Sequence, residues 1–278
     1  MDIINVRKVK NNAIKNFKKE KEKSLEGFLF LFECFLVKSC MIHIKFKERV
    51  KKNMAKLILL RHGQSEWNKL NLFTGWVDIP LSKEGIEESI LAGKILSECN
   101  VDIIYVSSLI RSQMTALIVM AYSKFPKMPC MQHDKQEFLS SWYEKGCEEV
   151  PLLIPMYKAW ELNERMYGSL QAKSKEKIME EHGKEQVKLW RRSYDTCPPE
   201  GESLAQTAQR SIPFFENKIV SDLKKGLDVF VCAHGNSLRS IVMSIESLSK
   251  DQVLELEIST GVPIIYEYSQ GLFKKKME

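Results

Sequence analysis

Two unbroken apolar runs of strand length, Leu57-Ile58-Leu59-Leu60 and Val229-Phe230-Val231-Cys232-Ala233, run on into a His-Gly pair, His62-Gly63 after Arg61 and His234-Gly235 directly. A strand apolar at every position is expected where both faces of a parallel sheet are covered. Between the two runs the pattern alternates. Ser82 precedes a helical stretch with apolar residues at Ile86, Ile90, Leu91, Ile95 and Leu96. Val101 to Val106 reads as a second strand, and helical periodicity returns from Arg111 to about Ser123. Alternating strand and helix implies a parallel sheet with helices on its faces. In such a sheet, side chains just beyond the carboxyl ends of the strands line the ligand crevice, so both histidines should point there. His182-Gly183 is a useful contrast, because it follows Glu180 and Glu181 on a polar helix and reads as a helix end.

The stretch from Phe125 to Ala159, with Pro126, Pro129, Pro151 and Pro155, reads as an irregular excursion over the active face, holding one helix around Asp134 to Glu144. The covering segment is expected to run from about Phe125 to Arg192. Lys173 to Trp190 and Ser203 to Leu223 read as helices. The expected fold is α/β, three-layer, with a mainly parallel sheet flanked by helices, in one domain spanning residues 54–278.

Residues 1–53 stand apart by charge. They hold 14 Lys and Arg against 6 Asp and Glu, whereas residues 54–278 hold 28 against 30, so the overall +6 is concentrated in the extension. A nearly neutral body without an aromatic-interleaved basic stretch does not point to nucleic acid. The apolar run Gly27 to Val37, interrupted by Glu33, is about half the length a membrane span needs. The favoured reading is an extension outside the fold, with a natural start at Met54; membrane contact or targeting is the alternative. Seven cysteines with no C-x-x-C pair read as free thiols in a reducing compartment, hence the cytoplasm.

An imidazole is nucleophilic at neutral pH, and phosphoryl transfer needs mainly an array of cations and N–H donors around the moving group. His62 as nucleophile, with Arg61, Arg111, His234 and Asn68 around it, would supply that array. Gly63 and Gly235 would let the backbone approach an anion closely. No carboxylate, His or Cys cluster stands at metal spacing, so no metal is expected.

These residues also carry a family resemblance. Arg61-His62-Gly63-Gln64-Ser65-Glu66-Trp67-Asn68, followed by Phe73-Thr74-Gly75-Trp76-Val77-Asp78, resembles the entry motif of cofactor-dependent phosphoglycerate mutases of the histidine phosphatase superfamily. Leu162-Asn163-Glu164-Arg165-Met166-Tyr167-Gly168, Trp190-Arg191-Arg192, Glu202-Ser203-Leu204, His234-Gly235-Asn236-Ser237-Leu238-Arg239 and Thr260-Gly261-Val262-Pro263 agree in order, so the resemblance runs from Lys56 to about Tyr268. It implies that His62 is phosphorylated and that Glu164 is the general acid and base, with a pKa raised by partial desolvation between Trp160 and Tyr167. Arg61, Arg111, His234, Asn68, Ser65, Thr74, Gly75, Gly235 and Asn236 would hold the phosphoryl group. Tyr167, Lys175, Arg191 and Arg192 would hold the remaining acidic groups of the substrate. The implied reaction interconverts 3-phosphoglycerate and 2-phosphoglycerate in glycolysis and gluconeogenesis, primed by 2,3-bisphosphoglycerate, in a homodimer.

Departures from the family pattern are Gln64 for Glu, Ser107-Ser108 for Thr-Ser, Ala172 for Gly, and a short stretch between Tyr194 and Glu202. A basic tail over the site would have to be Lys274-Lys275-Lys276. The alternative reading is a phosphohistidine-type phosphatase of a small phosphorylated metabolite, in which water takes the place of the acceptor hydroxyl.

Overall fold

The computed structural model of the chain describes residues 54–132 and 152–276. The extension at 1–53 and the helix expected from Asp134 to Glu144 lie outside the described residues. The seven-stranded sheet has the order β3-β4-β2-β5-β1-β6-β7. Its strands are β1 (Met54–Arg61), β2 (Ile103–Val106), β3 (Met128–Met131), β4 (Leu153–Lys158), β5 (Val229–Ala233), β6 (Pro263–Ser269) and β7 (Leu272–Lys275). β3, β4, β2, β5 and β1 run parallel, and β6 and β7 add an antiparallel edge.

Alternation along the central strands divides the core into two layers, as the pleat requires. Leu57 and Leu59 of β1 and Val229 and Val231 of β5 pack to one side with Phe215, Ile219, Leu238 and Ile241. Ile58, Leu60, Phe230 and Cys232 face the other side, against Ala92, Leu96, Ala116 and Val119. Helices thus cover both faces of a mainly parallel sheet, which is the expected three-layer fold.

The helices that matter for the site are α1 (Glu66–Lys69), α2 (Lys83–Leu96), α3 (Ile110–Ala121), α4 (Lys175–His182) and α5 (Lys184–Arg192). They are followed by α6 (Leu204–Phe214), α7 (Val220–Lys224), α8 (Gly235–Glu246) and α9 (Lys250–Glu255). Ser82 caps α2 through the Gly85 N–H, as expected. The face α2 buries is nevertheless made of small residues, Gly85, Ser89, Ala92 and Gly93 with Leu96, while Leu91 and Ile95 are exposed. Close approach to α3 explains the choice: a Cβ on Gly93 would stand 3.0 Å from the Val119 carbonyl oxygen.

Three further expectations are corrected. Phe125 to Ala159 is not simply an excursion, because Met128–Met131 and Leu153–Lys158 extend the parallel sheet at one edge. Lys173 to Trp190 is two helices, broken where Gly183 takes φ +82°, a conformation suited to glycine. The run expected from Ser203 to Leu223 is also divided: Pro213 lacks the N–H that continues an α-helix, and a π-helical turn at Phe215–Ile219 separates α6 from α7. As for the tail, Lys274 and Lys275 belong to β7 and pair with Glu267 and Tyr266, so they form a sheet edge and not a cover.

Ala172 adopts φ +67° in the left-handed region, which explains why glycine suits that place. Since Ala172 is exposed, Ala172→Gly is expected to stabilise the fold by about 0.5–1 kcal/mol, the relief of the Cβ clash less the extra chain entropy of glycine. Urea unfolding of the two proteins measures it.

Candidate active site

The pairing register brings the two histidines together. Leu57 pairs with Val229 and each later residue follows in step to Arg61 with Ala233, so the next residues, His62 and His234, emerge side by side at the carboxyl ends. The His62 N–H donates to the Ala233 carbonyl at 3.0 Å, and the two rings lie 4.8 Å apart between centroids. Both are buried.

His62 Nδ1 lies 2.6 Å from the Gly63 carbonyl oxygen. A carbonyl only accepts, so Nδ1 carries the hydrogen and Nε2 carries the lone pair. Burial, then Arg111 and Arg61, hold the His62 imidazole well below its usual range. His234 is depressed likewise by burial, Arg111, His62, Arg61 and Arg210. A neutral His62 with its Nε2 free is a nucleophile without prior proton loss. His234 Nε2 contacts Ser107 Oγ at 2.7 Å, and Nδ1 is buried with no hydrogen-bond partner among the described residues.

These shifts make the fold acid-sensitive. Below about pH 6.5 the unfolded chain protonates these imidazoles while the native state resists, so stability falls as pH falls from the unfolded value toward the depressed native one. Thermal melts across that window are expected to show Tm declining with acid, with a shallower slope in His62→Asn.

Arg61 and Arg111 are placed by backbone carbonyls. Arg61 Nη1 donates to the Ile258 carbonyl at 2.9 Å, and its Nε is buried without a partner among the described residues. Arg111, on the first turn of α3, donates to Val77 at 2.9 Å and Gly75 at 2.8 Å. Burial pushes its pKa down to about 10, so it stays charged at neutral pH. It also fixes the 74–77 loop, where Thr74 Oγ1 is buried with no partner among the described residues.

Glu164 corrects the expected pKa direction. Burial raises it, but that is outweighed by the Arg165 N–H, the Arg61 charge, the Asn236 side chain and the Arg111 charge, and the carboxyl ends below its usual range. Its Oε1 accepts from Arg165 N at 2.8 Å, Asn236 N at 3.1 Å and Asn236 Nδ2 at 2.8 Å, at the N-terminus of α8 where an anion is favoured.

A cavity of about 460 Å³ has Arg61, His62, Asn68, Thr74, Gly75, Arg111, Glu164, Gly235 and Asn236 in its lining. Tyr167, Lys175, Arg191 and Arg192 line it as well. Burial, then Arg191 and Arg61, lower Lys175 to about 8. Two expected residues do not line it. His234 stands against the buried side of His62, and Ser65 is the cap of α1, its Oγ accepting from the Asn68 N–H at 3.2 Å and donating to Asn68 Oδ1 at 2.9 Å. Gly63 also serves packing and not anion approach, since a Cβ there would stand 2.2 Å from the Gly85 carbonyl oxygen.

Several contributors carried no assigned role in the sequence reading. Arg165 Nη2 donates to Tyr167 Oη at 3.0 Å and to the Arg191 carbonyl at 2.8 Å, tying two cavity residues together. Arg210 donates to the carbonyls of Glu161, Asn163 and Glu164 at 2.7, 3.0 and 2.9 Å and pairs with Glu202 at 2.8 Å, holding the loop that carries Glu164. Arg239 and Glu257 also line the cavity. Arg165, Arg239 and Glu202 lay inside quoted motifs, whereas Arg210 had no sequence signal beyond its place on a helix. Gln64 keeps an acceptor role, taking the Ser82 hydroxyl at 3.0 Å. Among the described residues no cluster of His, Cys, Asp and Glu could hold a metal, and no helix is long and apolar enough to cross a membrane.

Paired strand-end histidines within a ring of arginines agree with the comparison to known families, in which residues 57–134 and 147–277 match the Histidine phosphatase superfamily (branch 1). The chain belongs to the histidine phosphatase superfamily. Among superfamily relatives, a protein of Protochlamydia amoebophila named 2,3-bisphosphoglycerate-dependent phosphoglycerate mutase is 52% identical over 226 residues, covering 81% of this chain and 100% of the relative. One of the same name from Chlamydia trachomatis serovar L2b is 50% identical over 222 residues, covering 80% and 97%. Solved structures of similar fold are more distant in sequence. Bacillus stearothermophilus YhfR aligns with a TM-score of 0.63 at 22% identity over 81% of this chain and 96% of its own. The alpha-ribazole phosphatase from Shigella flexneri gives 0.62 at 19% over 80% and 94%. At such identities they speak for the fold alone.

Proposed function

We propose that this chain interconverts 3-phosphoglycerate and 2-phosphoglycerate through a phosphohistidine at His62, in the cytoplasm and as a homodimer. The observation that carries the reading is one cavity lined by His62 and by six cationic side chains, Arg61, Arg111, Lys175, Arg191, Arg192 and Arg239. A phosphatase of a monophosphate needs fewer cations than that. The mutase name of relatives about half identical to this chain supports the same reading.

Arg61 Nε and Thr74 Oγ1, buried and without a partner among the described residues, suit the oxygens of a phosphoryl group, and Lys175, Arg191 and Arg192 suit a second acidic group. 2,3-Bisphosphoglycerate fits a cavity with cations for two acidic groups and supplies the phosphoryl group that primes His62. In the transfer, the P–Nε2 bond of phospho-His62 breaks as a substrate hydroxyl oxygen bonds phosphorus, and the hydroxyl proton passes to Glu164 Oε2. In the return, His62 Nε2 takes the other phosphoryl group and Glu164 gives its proton to the departing oxygen. Proton and electron pair are conserved over the cycle.

The test is an assay of the full chain with 3-phosphoglycerate, with and without catalytic 2,3-bisphosphoglycerate, following 2-phosphoglycerate and free phosphate together. Isomerisation stimulated by the bisphosphate supports the mutase. Phosphate release without isomerisation replaces it with the phosphatase.

A further inference from the structure

The mouth of the cavity holds a carboxylate that the proposed reaction does not use. Six cationic side chains line the cavity, Arg61, Arg111, Lys175, Arg191, Arg192 and Arg239, against two carboxylates, Glu164 and Glu257. Glu164 is fixed at one end by three N–H donors. Glu257 is different in kind. Its side chain is 75% exposed, and its Oε1 accepts from Arg192 Nη2 at 3.1 Å, with the Arg192 side chain 43% exposed.

Two features decide what this pair can do. Glu257 is mounted on the same framework as the phosphoryl end: the next residue, Ile258, offers its carbonyl to Arg61 Nη1 at 2.9 Å, and Thr260 forms a bridge with Arg61. Arg192 is the last residue of α5, on a long stem with many rotamers. The backbone that carries the carboxylate is therefore tied to Arg61, while the guanidinium sits on a long flexible stem. Exposed pairs of this kind are weak and exchange readily with other anions.

We propose that Glu257 is a specificity-determining residue, the resident anion of Arg192, which an incoming acidic group displaces and which then faces that group as a like charge. The inference rests on the phosphoglycerate reading above. Its consequence is a penalty that grows with ligand charge: a bisphosphate is held less firmly, relative to a monophosphate, than the six cations alone would dictate. Such an enzyme would be primed by the bisphosphate without being blocked by it.

Calorimetric titration of the full chain and of Glu257→Gln with 2,3-bisphosphoglycerate and with 3-phosphoglycerate tests this. In the variant, Kd is expected to fall about three- to tenfold for the bisphosphate and about two- to threefold for the monophosphate. The difference should shrink at high salt. KM should fall while kcat does not rise. Glu255→Gln, which removes a neighbouring carboxylate that does not line the cavity, should leave both constants unchanged. Unchanged affinities in Glu257→Gln would overturn the proposal, as would weaker binding, which would make the ion pair a strut for α5. If the unaltered protein binds neither compound, the functional reading falls and this inference with it. If it binds and isomerises while Glu257→Gln changes nothing, only this inference falls.

Discussion

His62→Ala is expected to abolish isomerisation, with a loss of roughly 10⁵-fold or more in kcat, because the residue that forms the covalent intermediate has no neighbour able to replace it. His234 is 4.8 Å away between ring centroids, but its Nε2 is occupied by Ser107 and it does not line the cavity. The protein should remain folded, since the sheet and its two apolar layers do not depend on the imidazole. The same variant should bind phosphoglycerate with little change, because the cations that line the cavity are untouched. A fall in kcat with a nearly constant Kd, measured by stopped assay and calorimetry, is the expected pattern.

Glu164→Gln should cost about 10²–10⁴-fold in kcat, the span of a general acid–base contribution. The amide can keep the acceptor position on Oε1 for Arg165 N and Asn236, so geometry is preserved while the proton acceptor is lost. The depressed pKa gives the direction of the resting state: at neutral pH the carboxyl is ionised and ready to take a hydroxyl proton. Folded-state depression also means that this group stabilises the fold above its unfolded pKa and that the contribution is lost as pH falls through the native value. The variant should therefore be less acid-sensitive in stability, as well as slower. A kcat within twofold of the unaltered enzyme would remove Glu164 from the proton path.

What the sequence made legible follows from where information is local. β1 and β5 read clearly because a strand covered on both faces is apolar throughout, and the His-Gly pairs marked their ends. β3 and β4 were missed because they contain Pro129 and Pro155, which usually argue against a strand interior, and because β3 is a four-residue edge strand. The buried face of α2 was misjudged for a related reason. Apolar periodicity pointed to Leu91 and Ile95, whereas close helix contact selected Gly85, Ser89 and Gly93. Within the site, residue types at motif positions were readable, but their electrostatics were not. The sign of the Glu164 shift depends on donors from Arg165 and Asn236 and on Arg61, a balance of burial against partners that only three-dimensional placement decides. Arg210 was invisible for the same reason, since its function is to bind carbonyls 46 to 49 residues earlier in the chain.

The central claim is that the phosphoryl group on His62 passes to a substrate hydroxyl and not to water. It is tested most directly by priming the full chain with labelled 2,3-bisphosphoglycerate, removing the excess, and following the label after adding unlabelled 3-phosphoglycerate. The account predicts that label on His62 is stable on this timescale without acceptor and moves promptly into phosphoglycerates when acceptor is added. Label appearing as inorganic phosphate at the same rate with and without 3-phosphoglycerate would contradict it.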